Sequence, residues 1–328
     1  MTSAGTALGD ELPRRTKPAL FVVFNLGSGA GDVDLVRTTI ESACAAAGRE
    51  LQLLSVDEPK RLGEIAADAV RRAQACGGVV VAAGGDGTIN AVAQATLGSG
   101  CAFGVLPQGT FNYFSRTHGI PADAAQALQV LLQEPPQDVQ VGLVNDQVFL
   151  VNASLGLYPK LLEEREGWKQ QLGRSRVVAF GAGVMTLLRG YRSLRLQIEV
   201  QGRQRKVRTL TLFVGNNALQ MEQLGFPLAH AIDGGELAGI VLRPVGRLAM
   251  LGLLLRGALG QLGESDQVLS FPFKRLTVRA ARGFGARRMK VATDGEIGWM
   301  VLPLEFRVAP QPLRLIRPAA PAPERQDP

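Results

Sequence analysis

The sequence is poor in the side chains that hold transition metals. Its 328 residues include three cysteines, Cys44, Cys76 and Cys101, and two histidines, His118 and His230. The cysteines lack the paired spacing of a zinc site and are odd in number. Neither a zinc site nor a disulfide framework is expected, and the thiols read as reduced in a cytosolic compartment. Aromatic residues make up 5 % of the chain, and none are interleaved with basic residues as base-stacking platforms, which argues against nucleic acid as a partner. No apolar run approaches the ~20 residues of a membrane span. The nearest, "LAMLGLLL" at 248–255, is closed by Arg247 and Arg256. The first seventeen residues hold no apolar core of signal-peptide length, so neither secretion by such a signal nor a membrane-integral chain is expected. The P-loop pattern GxxxxGK[ST] is absent, and there is no internal repeat.

What is present is an ordinary globular composition with an uneven charge. Hydrophobic residues are 46 % and charged residues 20 %, and the length suffices for two cores. The net charge is +7. From Lys160 to Arg208 twelve Lys or Arg face four Glu, so this segment alone accounts for the whole excess. A concentrated basic face attracts an anionic surface; the plainer reading is a solvated exposed face.

The first half alternates strands and helices. Apolar runs at 18–25, 50–56, 78–84 and 102–107 predict strands, and the 3.6-residue spacing at 32–48, 60–77, 88–97 and 122–134 predicts helices. That alternation predicts a parallel sheet covered by helices, which binds ligands at the carboxyl ends of its strands. Beyond "EPPQD" near residue 135 the chain turns strand-rich, with period-2 runs such as "QVFLVNAS", "RKVRTLTLFVGN", "VLSFPFKRLTVRA" and "WMVLPLEFRV". These predict an antiparallel sandwich. Helical segments at about 171–190 and 245–262 interrupt it, and a proline-rich tail follows. The helix at 245–262 is apolar on most faces, which suits either core packing or a lipid-facing wall.

The most informative stretch is "AAGGDGTIN", residues 82–90. A glycine-rich turn between a strand and a helix brings backbone N–H groups to an anion at the positive end of the helix dipole. Gly84, Gly85 and Gly87 therefore read as a phosphate cradle, against the alternative of a merely tight turn. Asp86 in its centre would be repelled by phosphate unless a divalent cation lay between them. It is a candidate for organising Mg²⁺ or for accepting a proton. "NLGSGAGD" after the first strand has Asp32 where a dinucleotide fingerprint needs its third glycine, so a Rossmann dehydrogenase is a poor reading. Asn25, Ser28 and Gly29 there can still hold phosphates. Arg116 offers a fork that suits phosphate. His118 reads as a loop residue, and Trp168 and Trp299 as packing residues or interfacial anchors.

"FNLGSG", "AAGGDGTINAV", "GVLPQGTFNYFSRTHGIP", "FVGNNA" and "ATDGEIGW" stand in the order and spacing of the diacylglycerol kinase catalytic family, which includes bacterial lipid kinases and sphingosine kinases. "GGDGT" is shared with NAD kinases; joined to "LPQGTFNYFSR" and the late "DGE" it becomes specific. The resemblance covers residues 18 to 310. It implies an α/β plus all-β fold: an N-terminal three-layer α/β nucleotide-binding domain, a C-terminal antiparallel β-sandwich, and an active site in the cleft between them. The expected divisions are a flexible N-terminus to 17, an ATP-binding domain over 18–136, a sandwich over 137–300, a strand at 301–312 returning to the first domain, and a disordered tail over 313–328.

The resemblance also assigns residues. Asn25, Ser28 and Gly29 match the first ATP loop, although Leu26 replaces the usual proline. Gly85 to Asn90 match the phosphate loop, Thr110 matches a threonine that contacts the nucleotide, and Asn112 lies beside it; Gly84 and Gly109 count with them as nucleotide-binding candidates. Glu296 matches the catalytic base, and Asp233 lies near the aspartate that supports Mg²⁺, with one extra residue in the spacing. "LLSVDEP" lacks a threonine the family often places after its second strand, and "MEQLG" replaces its glycine cluster after "VGN".

Phosphoryl transfer needs positioning, charge neutralisation and a group that orients or deprotonates the acceptor. Glu296 or Asp86 supplies the last, and Glu296 is preferred because Asp86 sits among the phosphates. Without the resemblance, "TDGE" is an ordinary hairpin turn. The expected activity is ATP- and Mg²⁺-dependent phosphorylation of a lipid hydroxyl, such as that of diacylglycerol or a sphingoid base. The expected setting is the cytoplasm, peripheral to the inner, anionic face of the membrane, and sandwich edge strands allow a homodimer. The alternatives are a kinase of a soluble acceptor, like the NAD kinases, and a non-catalytic nucleotide-binding regulator.

Overall fold

The computed structural model describes residues 17–27, 33–157, 159, 193–281 and 288–319. Ser28, Gly29, Trp168, most of the basic segment 160–208, the expected helix at 171–190, and the two ends of the chain lie outside the described residues.

The first unit is a six-stranded sheet ordered β2-β1-β3-β4-β18-β5. Strands β1 (Leu20–Asn25), β2 (Leu51–Val56), β3 (Val79–Gly84) and β4 (Ala102–Pro107) pair in parallel. All six residues of β3 are buried, as expected of a strand with helices on both faces. Helices α1 (Val33–Ala46), α2 (Leu62–Cys76), α3 (Asp86–Thr96), α4 (Tyr113–Thr117) and α5 (Ala124–Gln133) belong to this unit. The apolar face of α2 (Ala66, Ala69, Val70, Ala73) lies on the sheet, and Gly77 ends the helix at φ 66. These four strands and four of the helices fall where the periodicity places them; the short α4 has no such signal.

The sheet is completed by two short strands remote from each other in sequence. β5 (Pro136–Val139) pairs antiparallel with β18 (Leu313–Ile316), and β18 pairs in parallel with β4. Here the structure corrects two boundaries. "EPPQD" does not end the first domain, because Pro136 opens a strand at the sheet's edge, where a missing N–H is tolerated. The returning strand is 313–316, within the stretch expected to be tail, whereas 304–308 stay in the second unit.

That second unit is a sandwich of two antiparallel sheets, ordered β10-β9-β14-β17-β6-β7 and β13-β12-β11-β8-β15-β16. Its strands are β6 (Gly142–Val144), β7 (Gln147–Phe149), β8 (Asn152–Gly156), β9 (Leu194–Val200), β10 (Arg203–Thr209), β11 (Thr211–Gly215), β12 (Leu237–Leu242), β13 (Val268–Phe273), β14 (Arg275–Ala280), β15 (Arg288–Thr293), β16 (Glu296–Val301) and β17 (Leu304–Val308). Each of the four long alternating runs is two strands, one in each sheet: β7 and β8, β10 and β11, β13 and β14, β16 and β17. The chain turns the corner at 150–151, Leu210, Lys274 and 302–303. The same apolar alternation serves both sheets because both inner faces share one core, which includes Leu155, Ile198, Val214, Phe273, Leu276, Val291 and Phe306.

Among the described residues three helices accompany the sandwich: α6 (Ala218–Gln223), α7 (Ala229–Asp233) and α8 (Arg247–Ala258). α8 buries Met250 and Leu253, which cluster with Leu157 and Leu210. Leu248 and Leu255, and Leu259 just past its end, are 85 %, 64 % and 72 % exposed. Among the described residues, no helix is long and apolar enough to cross a membrane.

Candidate active site

The carboxyl ends of β1, β3 and β4 meet at the start of α3. Glycine is needed there for space, since none of the three turn glycines has positive φ. A Cβ on Gly84 would lie 2.6 Å from the Thr88 hydroxyl, so Gly84 lets α3 begin directly against its own strand. Thr88 is buried, and its Oγ1 accepts from Asn25 Nδ2 at 2.8 Å, tying the end of β1 to the first turn of α3. A Cβ on Gly109 would lie 3.2 Å from Gly85 Cα and 2.7 Å from Asn112 Oδ1, so glycine lets the loops after β3 and β4 approach this closely.

Asp86 is the first residue of α3. Its Oδ2 accepts the Asn112 N–H at 3.3 Å, while Oδ1 is buried with no hydrogen-bond partner. Burial pushes the Asp86 carboxyl above its ordinary value, and the bond from Asn112 pulls the other way. Asn112 adopts φ 48, donates from Nδ2 to the Gly109 carbonyl at 2.9 Å, and keeps a buried, unpartnered Oδ1. Gln108 Nε2 is also buried and unpartnered. Three unmet polar atoms beside one helix N-terminus are costly in a native fold and suit a site completed by a ligand.

Glu296 reaches this cradle from the other unit. β15 and β16 form a hairpin whose two-residue turn, Asp294 at φ 48 and Gly295 at φ 93, is the type that Asp-Gly favours. Glu296 opens β16, and its Oε1 lies 2.6 Å from where a Cβ on Gly87 would stand. "TDGE" is therefore both an ordinary hairpin and the element that brings a carboxylate onto the phosphate loop.

Other expected residues stand as follows. Thr110 is exposed at the tip of the loop after β4. Beside it Phe111 stacks on Tyr113 at 6.1 Å, and the Arg116 guanidinium lies 5.8 Å from the Tyr113 ring centroid. Asn90 faces the sandwich, its Nδ2 donating to Val148 O at 3.1 Å and to Asp294 Oδ2 at 2.7 Å. Asp233 ends α7 and is exposed; no described hydrogen bond or ion pair joins it to Asp86, Asn112 or Glu296. Among the described residues no group of three or more His, Cys, Asp or Glu is placed to hold a metal. His118 packs edge-on against Phe114 and lies 3.4 Å from Arg317, and burial with that positive neighbour holds it down to about 4. Trp299 is 61 % exposed on β16, under the Lys290 ammonium at 5.3 Å. The residue that the sequence reading left without a role is Asp294, visible there only as half of an Asp-Gly turn.

Two family models cover most of the chain. The diacylglycerol kinase catalytic domain matches residues 19–144, and the YegS C-terminal NAD kinase beta sandwich-like domain matches 169–317. The chain belongs to the diacylglycerol kinase catalytic family. A Pseudomonas aeruginosa protein named "Probable lipid kinase YegS-like" is 32 % identical over 89 % of this chain and 92 % of its own length. A diacylglycerol kinase of Bacillus subtilis is 26 % identical over 70 % of this chain and 74 % of its own. The crystal structure of a Bacillus anthracis diacylglycerol kinase shares the fold, with a TM-score of 0.66 and 20 % identity over 92 % of this chain and 97 % of that one. Membership makes the chain a kinase-family protein, and that family implies ATP as a substrate.

Proposed function

We propose that this protein transfers the γ-phosphate of ATP to a lipid hydroxyl, such as that of diacylglycerol or a sphingoid base. The observation that carries the reading is the Glu296 carboxylate over Gly87, at the mouth of a glycine cradle lined by unpartnered polar atoms. The N–H groups in the first turn of α3 would meet the phosphates, and the helix dipole favours their charge. Glu296 accepts the proton of the acceptor hydroxyl as its oxygen bonds to the γ-phosphorus. The bond from that phosphorus to the bridging oxygen breaks, and ADP leaves with the electron pair. The buried, unpartnered Asp86 Oδ1 is a hard oxygen donor that fits Mg²⁺, with Asn112 Oδ1 as a neutral neighbour. When bound, the cation neutralises charge on the phosphates. Asp233 fits a supporting role only through groups other than the described contacts.

A lipid acceptor implies contact with a bilayer. The exposed leucines of α8 offer an apolar face flanked by the exposed Arg243 and Arg256, which suits an anionic surface. The likeness of the second domain to the sandwich of NAD kinases supports a soluble acceptor as the second reading.

The deciding experiment supplies ATP labelled in the γ-phosphate, Mg²⁺ and a bacterial lipid extract, then separates organic and aqueous phases. Label in the organic phase is expected. Label confined to the aqueous phase, in a product other than inorganic phosphate, would favour the soluble acceptor. ATP binding without transfer to either would favour a regulator.

A further inference from the structure

We propose that Asp294 is a positioning residue whose carboxylate clamps the β15–β16 turn to α3 and to the 150–152 crossing, and thereby sets Glu296 over Gly87. This rests on the phosphotransfer reading above.

The Asp294 carboxyl group is enclosed by four donors. Oδ2 accepts from Asn90 Nδ2 and from the Leu150 N–H, both at 2.7 Å. Oδ1 accepts from the N–H groups of Val151 at 2.8 Å and Asn152 at 2.9 Å. A carboxylate offers about four lone-pair sites, so its capacity is used within the protein and none remains for a nucleotide or cation. Burial pushes the Asp294 carboxyl above its ordinary value, and the bonds from Leu150, Asn152, Val151 and Asn90 pull the other way.

The donors come from two directions. Asn90 stands on α3, the helix that carries the phosphate loop, one turn beyond Gly87. Leu150, Val151 and Asn152 lie where the chain passes from one sheet of the sandwich to the other, and Leu150 and Val151 are buried in the core of the first unit. A second bridge follows along α3: Gln94 donates to Asp146 O at 3.1 Å and accepts from the Val148 N–H at 2.7 Å. The hairpin turn is thus fastened to the helix it must face. Glu296 itself is exposed, and no described hydrogen bond or ion pair holds its side chain. Its place over Gly87 depends on its backbone, and that backbone leaves the turn Asp294 anchors.

The test is Asp294→Asn, which keeps the shape but turns an NH₂ toward donors. A misplacement of about 1 Å in a catalytic group can cost on the order of 10²-fold. The variant is expected to lose that much in kcat, with KM for ATP changed by less than about threefold. In a Glu296→Gln background the same substitution is expected to cost less than about twofold, because the group it positions is already gone. Asn90→Ala removes one donor and leaves the three backbone bonds, so a smaller loss in the same direction is expected, even if Asp294→Asn folds poorly. Equal losses in both backgrounds, or a raised KM with kcat intact, would overturn the proposal. Hydrogen exchange gives a readout independent of activity. Peptides spanning 148–156 and 290–298 should exchange faster in Asp294→Asn, and unchanged exchange would also overturn it. If the wild-type chain transfers no phosphate, the phosphotransfer reading fails, and exchange still decides whether Asp294 holds the turn.

Discussion

At the residue scale, Asp86 shows function working against stability. Burial raises its carboxyl, so the folded chain holds that proton more tightly than the unfolded chain. The stability this contributes is complete below the ordinary carboxylate range and is lost as pH rises through the elevated value. At neutral pH the ionised group opposes folding. Asp86→Asn is expected to melt at or above the wild-type temperature at pH 7, with the difference shrinking toward pH 4, when thermal melting is followed at both. The same variant is expected to lose about 10²-fold or more in phosphate transfer. Glu296→Gln is expected to lose about 10²- to 10⁴-fold in kcat, the usual worth of a general base, with ATP affinity retained in an equilibrium binding measurement. Asp86 is legible in the sequence through "GGDGT", whereas Glu296 is legible only through the family resemblance, since "TDGE" alone is an ordinary hairpin turn. Asp294 is legible in neither way, because its donors Leu150 and Asn90 lie 144 and 204 residues away.

At the element scale, α3 is the strand-to-helix turn that the glycines announce, but their purpose is visible only in the fold. A Cβ on Gly87 would stand 2.6 Å from Glu296 Oε1, so that carboxylate would have to give way. Gly87→Ala should leave the helix intact or firmer, since alanine favours helix by up to about 1 kcal/mol. Transfer should fall as the carboxylate is pushed aside. Raised or unchanged melting with reduced kcat is the expected pair of results, and full activity would remove Glu296 from the site. Helix α8 is the second case. Its sequence is apolar nearly all round, and the fold spends one side on Met250 and Leu253 while leaving Leu248, Leu255 and Leu259 outside. Replacing those three by Ser is expected to abolish co-sedimentation with phosphatidylglycerol-containing vesicles without lowering the melting temperature. Binding equal to wild type would place bilayer contact elsewhere.

At the scale of the whole molecule, the two units are joined through the chain's far ends and through the site. β18 and β5 complete the first sheet, while the Asn90, Gln94 and Asp294 bonds bridge α3 to the sandwich. Integrity of the sandwich core is therefore a condition for a working cradle. Phe306 is fully buried there. Phe306→Ala is expected to cost about 3–5 kcal/mol in urea unfolding, by lost burial and a residual cavity. A loss below about 1 kcal/mol would show that the core closes around the gap.

The sequence by itself determined the alternation of β1 to β4 with α1, α2, α3 and α5 in the first unit, the strand-rich character of the second, and the glycine cradle with its aspartate. Those follow from local periodicity and from residue types that few other turns require. Tertiary structure decided what local pattern cannot carry. It split four alternating runs between two sheets, because one core accepts the same inward face from either. It carried Leu313–Ile316 back to β4. And it made an ordinary Asp-Gly turn into the anchor of Glu296, because the donors that bind Asp294 meet it only when both units have folded.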